Sequence, residues 1–418
     1  MPSETIITEK MVYGGDCIAK IDGKTVFVPY AIPGEKLEVE IEKENRDYSV
    51  AKIVNILEPS PKRVEPFCKY YGVCGGCNMQ HISDDYQKEL RKSILEDAFI
   101  REDVDFPEVK VISASPTAYR TRFQFHDGGM MQKLSNSIVP IENCPCASKE
   151  INKYLSEIPF EQRPRGRIHV FGSEKIVSIP DDYDKIIVAD DSLAQKRISE
   201  KKSRPQAGKR VNGKKIKQIR PRFEGTVSVP VNACTVRLCG KDIAFDVQGF
   251  FQSNLDVLEE TIPKITEGLG GKNVLDMYAG CGTFSVFLAD LFENVVLVEH
   301  NRDALVFAEQ NLAGKKHESF GLSGETWTKY HAQTFVERNG AFDAAVVDPP
   351  RSGMEKSVRK WLSESGIPSI RSLSCDIATQ ARDVKFLVRN GGYKLKELYL
   401  LDFYPQTGHI ESLAVLEK

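Results

Sequence analysis

Residues Val274–Thr283, VLDMYAGCGT, decide the fold. The apolar start predicts a buried strand, and Gly280-Cys281-Gly282 predicts a tight loop into a helix, because glycine lets a backbone approach a ligand where a Cβ would collide. Glu299 follows the next apolar run, where a carboxylate can accept both hydroxyls of a ribose. The pattern G-x-G-x-x-G is absent, which favours an adenosine-plus-amino-acid ligand, such as S-adenosylmethionine, over a pyrophosphate; a ligand-free tight turn is the alternative.

The region 251–418 alternates short apolar runs with helical stretches, as a doubly wound, mostly parallel sheet does. We therefore predict an α/β fold with a Rossmann-like domain, ending in an antiparallel hairpin of Tyr393–Phe403 and Ile410–Leu416. The predicted parallel strands are Val274–Met277, Val295–Val298, Ala344–Val347 and Ser369–Leu373.

Two polar loops follow predicted strands and should lie at the edge of the sheet where ligands bind. The first is Asp348-Pro349-Pro350-Arg351, in which Arg351 stands where methyltransferases of exocyclic amines carry an aromatic residue. The second is Ser374-Cys375-Asp376. A lone cysteine after a strand is usually inert, and Asp348 alone would suit a loop cap, but together these residues indicate chemistry beside a cofactor.

A thiol and a carboxylate near a methyl donor suit a carbon too electron-poor to attack a sulfonium unaided. Uridine C5 is such a carbon: a thiolate adds to C6, C5 takes the methyl group, and a base removes the C5 proton. We assign Cys375 as the nucleophile and Glu411, in FYPQTGHIE (403–411), as the base, with His409 as the rival base.

Residues 1–58 predict a separate N-terminal unit, a small OB-type β-barrel of five short strands. Such barrels commonly bind oligonucleotides, and a purely structural β-cap is the alternative. We divide the rest into a central α+β domain (59–80 and 115–250) and a methyltransferase domain (81–114 and 251–418).

Cysteines cluster in the central domain. Cys68, Cys74 and Cys77 lie within ten residues, with Cys144 or Cys146 as a possible fourth ligand. This density suits a [4Fe–4S] cluster or a four-cysteine zinc site, and spacing alone leaves the two open. Unligated thiols are the third alternative.

Charge points to a polyanionic partner. Net charge is only −2, but residues 201–222 hold ten basic and no acidic residues, as phosphate-binding segments do; a solvated loop is the alternative. No apolar run reaches the ~18 residues of a membrane span, and no signal peptide is evident. We expect a cytoplasmic monomer that binds RNA. The ten basic residues are Lys201, Lys202, Arg204, Lys209, Arg210, Lys214, Lys215, Lys217, Arg220 and Arg222.

In this order, the glycine loop, DPPR, Ser-Cys-Asp and FYPQTGHIE resemble the RNA 5-methyluridine methyltransferase family, in its branch with a TRAM domain and an iron–sulfur cluster, typified by 23S rRNA enzymes. The resemblance implies that Cys375 and Glu411 are catalytic and that Cys144 is the fourth ligand of a [4Fe–4S] cluster. It also implies S-adenosylmethionine contacts from Gln252, Tyr278, Thr283, Glu299 and Asp348.

One departure from the family stands at the nucleophile. The family has Asn-Pro after the cysteine, whereas this chain has Asp376-Ile377, which puts in doubt how the base of the substrate is held. We expect a uridine of 23S rRNA as the target, with the T-loop uridine of tRNA as the alternative. A cytosine-C5 enzyme is disfavoured because no Pro-Cys motif is present at Asp348–Pro350. A catalytically inactive iron–sulfur RNA-binding protein and a small-molecule methyltransferase are the remaining alternatives.

Overall fold

A computed structural model of the chain describes residues 3–179, 185–190 and 232–418. The basic tract 201–222 therefore lies outside the described residues. The strands are β1 (Glu4–Ile7), β2 (Lys10–Met11), β3 (Cys17–Ile21), β4 (Lys24–Val28), β5 (Lys36–Glu44), β6 (Tyr48–Glu58), β7 (Val109–Ile112), β8 (Arg122–His126), β9 (Met130–Met131), β10 (Ile138–Val139), β11 (Arg167–Gly172), β12 (Ile176–Ser178), β13 (Ile186–Asp190), β14 (Ala233–Leu238), β15 (Lys241–Asp246), β16 (Gly271–Met277), β17 (Phe292–Val298), β18 (His317–Phe320), β19 (Ala344–Val347), β20 (Ser369–Ser374), β21 (Lys394–Leu401) and β22 (Glu411–Glu417). The helices are α1 (Asp84–Arg101), α2 (Lys149–Glu157), α3 (Leu255–Thr266), α4 (Ser285–Leu288), α5 (Arg302–Asn311), α6 (Gly324–Tyr330), α7 (Ala332–Asn339), α8 (Lys356–Glu364) and α9 (Ile377–Gly391), with a 3-10 turn at Phe160–Gln162.

The N-terminal sheet has six strands in the order β1-β5-β6-β4-β3-β2. The prediction of five strands was wrong, because the short segments β1 and β2 also pair, β1 with β5 and β2 with β3. Side chains alternate along the strands, as the two-residue period of a strand requires. Cys17 and Ala19 on β3, and Val26 and Val28 on β4, point into the core.

The large sheet has eight strands in the order β18-β17-β16-β19-β20-β22-β21-β7. The strands from β18 to β20 are parallel, and β21 and β22 form the antiparallel hairpin. The last five residues of β16 and of β17 are all buried, which fits a sheet covered on both faces. The predicted doubly wound sheet is confirmed, and its carboxyl edge carries the loops that begin at Tyr278, Asp348 and Cys375.

The central region contains smaller sheets, β13-β11-β8 and β12-β14-β15, together with helix α2. Phe123 and Phe125 on β8 are 2% and 1% exposed, so they pack in this core and are not available to stack on RNA bases. Within the described ranges, no helix is both long and apolar enough to cross a membrane.

Candidate active site

Cys375 lies between the end of β20 and the start of α9, on a loop whose geometry depends on Asp376. The Asp376 side chain caps α9 by accepting a hydrogen bond from the Thr379 backbone N–H at 2.9 Å. An Asn side chain offers the same acceptor, so the departure from the family pattern preserves the helix start. Cys375 itself is partly buried. Burial, then Glu411 and Asp348, raises the pKa of the Cys375 thiol, while Arg351 opposes the shift.

Helix α9 also holds the loop after Asp348. Thr379 Oγ1 donates to the Arg351 carbonyl at 3.2 Å, and Arg382 Nη2 donates to the Ser352 carbonyl at 3.0 Å. Asp383 is buried and accepts from the Met354 backbone N–H at 2.7 Å. The nucleophile loop and the Asp348–Arg351 loop are thus fixed to the same helix.

Glu411 is the first residue of β22 and is 8% exposed. Burial, followed by the charge of Asp348, raises the pKa of its carboxyl to about 8. Gln252 Nε2 donates to Glu411 Oε2 at 3.4 Å. The other amide atom, Gln252 Oε1, is buried and has no hydrogen-bond partner among the described residues. A buried acceptor without a partner is costly, so this atom fits a site that a ligand with a donor completes.

Asp348 is half-buried, and desolvation together with the charge of Glu299 raises its pKa to about 7. Asp276 is buried, and burial raises its pKa to about 7 although Ser285 Oγ donates to it at 2.5 Å. Asp276 was not among the predicted site residues; a carboxylate inside an otherwise apolar strand was the signal that would have marked it. With Glu411, the site contains three carboxyl groups whose protonated forms are favoured.

The glycine loop leaves room for a ligand beside Glu299. Glu299 Oε2 accepts from the Gly280 backbone N–H at 2.8 Å, and its Oε1 accepts from the Asn301 N–H at 2.5 Å. A carboxylate has about four lone-pair sites, so acceptor capacity remains. Gly280 has φ +57°, and a Cβ there would meet no atom within 4 Å. This open space fits a nucleoside whose ribose is bound by Glu299.

Two predicted cofactor residues make protein contacts of their own. Tyr278 has φ +67°, and its hydroxyl donates to the Glu355 carboxylate at the start of α8. Thr283 Oγ1 lies 3.4 Å from Cys281 Sγ. Cys375, Asp348 and Glu411 are close enough for the two carboxylates to raise the pKa of the thiol. The hydroxyl of Tyr278, in contrast, is directed to Glu355.

The rival base, His409, lies on the exposed part of the loop before β22, and its ring packs edge-on against Tyr404 with centroids 5.8 Å apart. Partial desolvation of the ring by its neighbours, then the charges of Arg351 and Arg120, lowers the pKa of His409. The neutral form of both candidate bases is therefore favoured, in each case by desolvation first and then by neighbouring charges of the same sign as the ionised group.

The clustered cysteines surround one cavity. Its lining includes Cys68, Cys74, Cys77, Cys144 and Cys146. Cys77 Sγ and Cys146 Sγ are 3.9 Å apart. In the described part of the chain, no group of three or more His, Cys, Asp or Glu side chains is arranged to hold a metal ion. Cysteine thiolates are the ligands of [4Fe–4S] clusters and of four-cysteine zinc sites alike, so the donors around this cavity fit either group.

Comparison with known proteins agrees with this site. The profile of the tRNA (uracil-5-)-methyltransferase family matches residues 84–418, and that of the TRAM domain matches residues 4–54. A protein of Treponema denticola named as an uncharacterized RNA methyltransferase is 37% identical, with 100% of both chains covered. A 23S rRNA (uracil(1939)-C(5))-methyltransferase of Photorhabdus laumondii subsp. laumondii is 27% identical over 99% of this chain and 96% of its own.

Among solved structures, the Pyrococcus abyssi tRNA (uracil-54, C5)-methyltransferase in complex with S-adenosyl-L-homocysteine shares the fold, with a TM-score of 0.69. The sequences are 24% identical, and the match covers 99% of each chain.

Proposed function

We propose that this chain, which belongs to the tRNA (uracil-5-)-methyltransferase family and is an S-adenosylmethionine-dependent RNA uracil-C5 methyltransferase, acts through a covalent adduct between Cys375 and uridine C6. The observation that carries this mechanism is the position of Cys375 beside Glu411 and Asp348 at the carboxyl edge of the sheet, because Ser374 pairs with Ser412 and β19 is the parallel neighbour of β20. The site residues are assigned on that geometry and on their motifs.

In the proposed reaction, the Cys375 thiolate adds to C6, so the Sγ–C6 bond forms and the electron pair of the C5=C6 bond moves toward C5. S-adenosylmethionine, when bound, would supply a sulfonium methyl group: the electron pair on C5 would form the C5–methyl bond, and the methyl–sulfur bond would break with its pair left on the sulfur of S-adenosylhomocysteine. Glu411 then removes the C5 proton. The pair from the C5–H bond restores C5=C6, and the Sγ–C6 bond breaks to regenerate the thiolate.

The raised pKa of Glu411 suits this order of steps. With a pKa of about 8, the carboxyl holds its proton for much of the time at neutral pH and then does not repel the forming thiolate. Adduct formation removes the thiolate charge from beside Glu411, which makes the carboxylate easier to form when a base is needed. A pKa near the operating pH is also the best compromise for a general base.

We assign cofactor contacts to Gln252, Tyr278, Thr283, Glu299 and Asp348. Glu299 would accept from the ribose hydroxyls above Gly280. The unpaired Gln252 Oε1 would accept from a donor of the substrate or cofactor. Tyr278 contributes through its backbone and ring, because its hydroxyl is engaged by Glu355.

We further propose that Cys68, Cys74, Cys77 and Cys144 bind a [4Fe–4S] cluster, with Cys146 as the alternative fourth ligand. Support comes from the cavity that these five cysteines share. The cluster would stabilise the central region. It would have no redox role in the reaction, since methyl transfer moves no net electrons. The division into a barrel (1–58), a central domain (59–80, 115–250) and a methyltransferase domain (81–114, 251–418) is part of this proposal. The monomeric state and cytoplasmic location stay predictions.

For the target, we propose a uridine of 23S rRNA, supported by relatives of that name that span the whole chain; a tRNA T-loop uridine is the alternative. The test mixes S-adenosylmethionine and the enzyme with rRNA or tRNA containing 5-fluorouridine. Because fluorine does not leave as a proton does, the reaction should stop at an adduct that survives denaturation. An adduct with rRNA alone, absent in Cys375→Ala, supports the proposal. An adduct with tRNA alone changes the target, and no adduct with either RNA contradicts the covalent mechanism.

A further inference from the structure

A side chain of the N-terminal barrel hydrogen-bonds to the nucleophile loop. Tyr13 Oη donates a hydrogen bond to the backbone carbonyl of Cys375 at 3.0 Å, across 362 positions of sequence. The Tyr13 side chain is 41% exposed, so it lies at the rim of the site. Asp376, Arg351 and Glu411 are close enough to act on Tyr13 electrostatically. This tyrosine therefore stands where the barrel, the nucleophile loop and the solvent meet.

The turn that carries Tyr13 is pressed against the loop that carries Glu411. A Cβ at Gly408 would lie 2.3 Å from the backbone carbon of Gly14, and a Cβ at Gly15 would lie 3.3 Å from Gly408 Cα. Gly15 also has φ +90°, a conformation that other residues rarely adopt. The two backbones are thus in direct contact, with no side chain between them.

Asn78 connects the same turn to the catalytic loop by hydrogen bonds. Its Nδ2 donates to the Gly14 carbonyl at 2.6 Å, and its Oδ1 accepts from the Gly408 N–H at 2.9 Å. The Asn78 backbone N–H donates to the Gln406 carbonyl at 3.1 Å. Because Asn78 bonds to Gly14, Gly408 and Gln406 at once, these hydrogen bonds fix the turn that carries Tyr13 relative to the catalytic loop.

We propose that Tyr13 is a positioning residue for methyl transfer, one that sets the orientation of the Cys375 peptide from the N-terminal barrel. This inference rests on the proposed role of Cys375. Covalent attack requires the thiolate within about 3–3.5 Å of C6 and correctly aligned. The hydrogen bond from the Tyr13 hydroxyl to the Cys375 carbonyl limits rotation of the Cys375–Asp376 peptide. It thereby restricts the backbone that carries the Cys375 side chain. The barrel thereby contributes to catalysis as well as to RNA binding.

Tyr13→Phe tests the proposal, since it removes the hydroxyl and keeps the ring. Tyr48→Phe is the matched control, because Tyr48 is 39% exposed on the same barrel and packs its ring on Phe27. We expect Tyr13→Phe to lower kcat and the rate of adduct formation about 5- to 10-fold, the value of one hydrogen bond. The KM for RNA and the Kd for S-adenosylmethionine should stay within about twofold of wild type. The reason is that, in the proposed role, the hydroxyl bonds to the protein backbone and to neither ligand.

Hydrogen exchange tests the positioning role of Tyr13 separately from the covalent role of Cys375. Hydrogen exchange of the 374–379 backbone should be faster in Tyr13→Phe than in wild type or Tyr48→Phe. Unchanged kcat and unchanged exchange in Tyr13→Phe, with an active wild type, overturn the positioning role alone. A rise in KM without a loss of kcat also overturns it and indicates a direct RNA contact. If the wild type forms no adduct, the covalent function fails, and the exchange rate still decides whether Tyr13 orders the loop.

Discussion

Arg91 and Asp402 form an ion pair in the protein interior, with 2.8 Å between Nη1 and Oδ1 and each side chain 2% exposed. Arg91 lies on α1, and Asp402 follows β21 directly before the loop 403–410. Arg91 Nη1 also donates to the Tyr404 carbonyl at 3.2 Å. The pair therefore attaches α1 to the start of the loop that leads to Glu411.

Arg91→Met should be strongly destabilising, because it leaves the Asp402 carboxylate buried without its partner. Loss of one member of a buried pair costs about 3–5 kcal/mol of unfolding free energy. Urea unfolding measures this, with Arg101→Met as the control on the same helix, where the guanidinium side chain is 69% exposed. Equal effects of the two substitutions would show that the buried pair is not a main support of the loop.

Glu411→Gln should arrest the reaction after methyl transfer. The amide cannot take the C5 proton, so turnover should fall by at least about 100-fold, the usual share of a general base. With ordinary uridine RNA, a covalent protein–RNA species should then accumulate on denaturing gels. The double variant Cys375→Ala/Glu411→Gln should form none. Normal turnover in Glu411→Gln would shift the role of base to His409.

Activity should rise with pH up to about 8 and beyond. The base must be ionised, and burial with Asp348 raises the pKa of Glu411 to about 8; burial also raises the pKa of the Cys375 thiol. Both groups gain their reactive forms as pH increases. Single-turnover rates between pH 6 and 9 measure this. A rate that declines over that range would contradict the assignment of Glu411 as the base.

The free energy of unfolding should fall as pH rises, whereas the activity should increase. The folded pKa of Glu411 lies above its unfolded value, so the folded state binds more protons between about pH 4.5 and pH 8 and the free energy of unfolding falls as pH rises through that window. Glu411→Gln should therefore be more stable than wild type at pH 8, by on the order of 4 kcal/mol, and similar to it at pH 4.5. Thermal unfolding of the ligand-free proteins at the two pH values tests this.

Asp376→Asn should behave nearly as wild type, whereas Asp376→Ala should lose about 1 kcal/mol of unfolding free energy, the usual cost of removing an N-cap. The reason is the acceptor role of Asp376 toward the Thr379 N–H. Activity of Asp376→Ala should fall further than that of Asp376→Asn, because α9 also carries the Arg351 loop. An Asn variant as damaged as the Ala variant would mean that the charge of Asp376 matters.

Cys144→Ser should lose bound iron, and Cys146→Ser should retain it, if Cys144 is the fourth ligand. Iron content and visible absorbance of protein purified without oxygen measure this. Cys239→Ser is the control, since Cys239 is exposed and is not among the residues that line the cysteine cavity. The reverse result would assign the fourth position to Cys146, whose sulfur lies 3.9 Å from that of Cys77.

Short apolar runs in the sequence were enough to predict the parallel strands of the large sheet. The apolar runs before Tyr278, Asp348 and Cys375 are strands, and their polar termini meet at one sheet edge. The predicted barrel had one strand too few because β1 and β2, with four and two residues, carry too little alternation to show a period. Partners far apart in sequence, such as Tyr13 and the Cys375 carbonyl, leave no periodic signal, since their contact depends on how whole domains pack.

The contact between the Tyr13 turn and the catalytic loop has a consequence for biosynthesis. Tyr13 is synthesised 362 residues before Cys375. Contacts across such a separation form slowly because the entropy of loop closure comes first. A nascent chain can thus complete its barrel while the nucleophile loop is still unsupported. The thiol is set in its working orientation only after both segments have left the ribosome, so a chain truncated between them carries no assembled catalytic site.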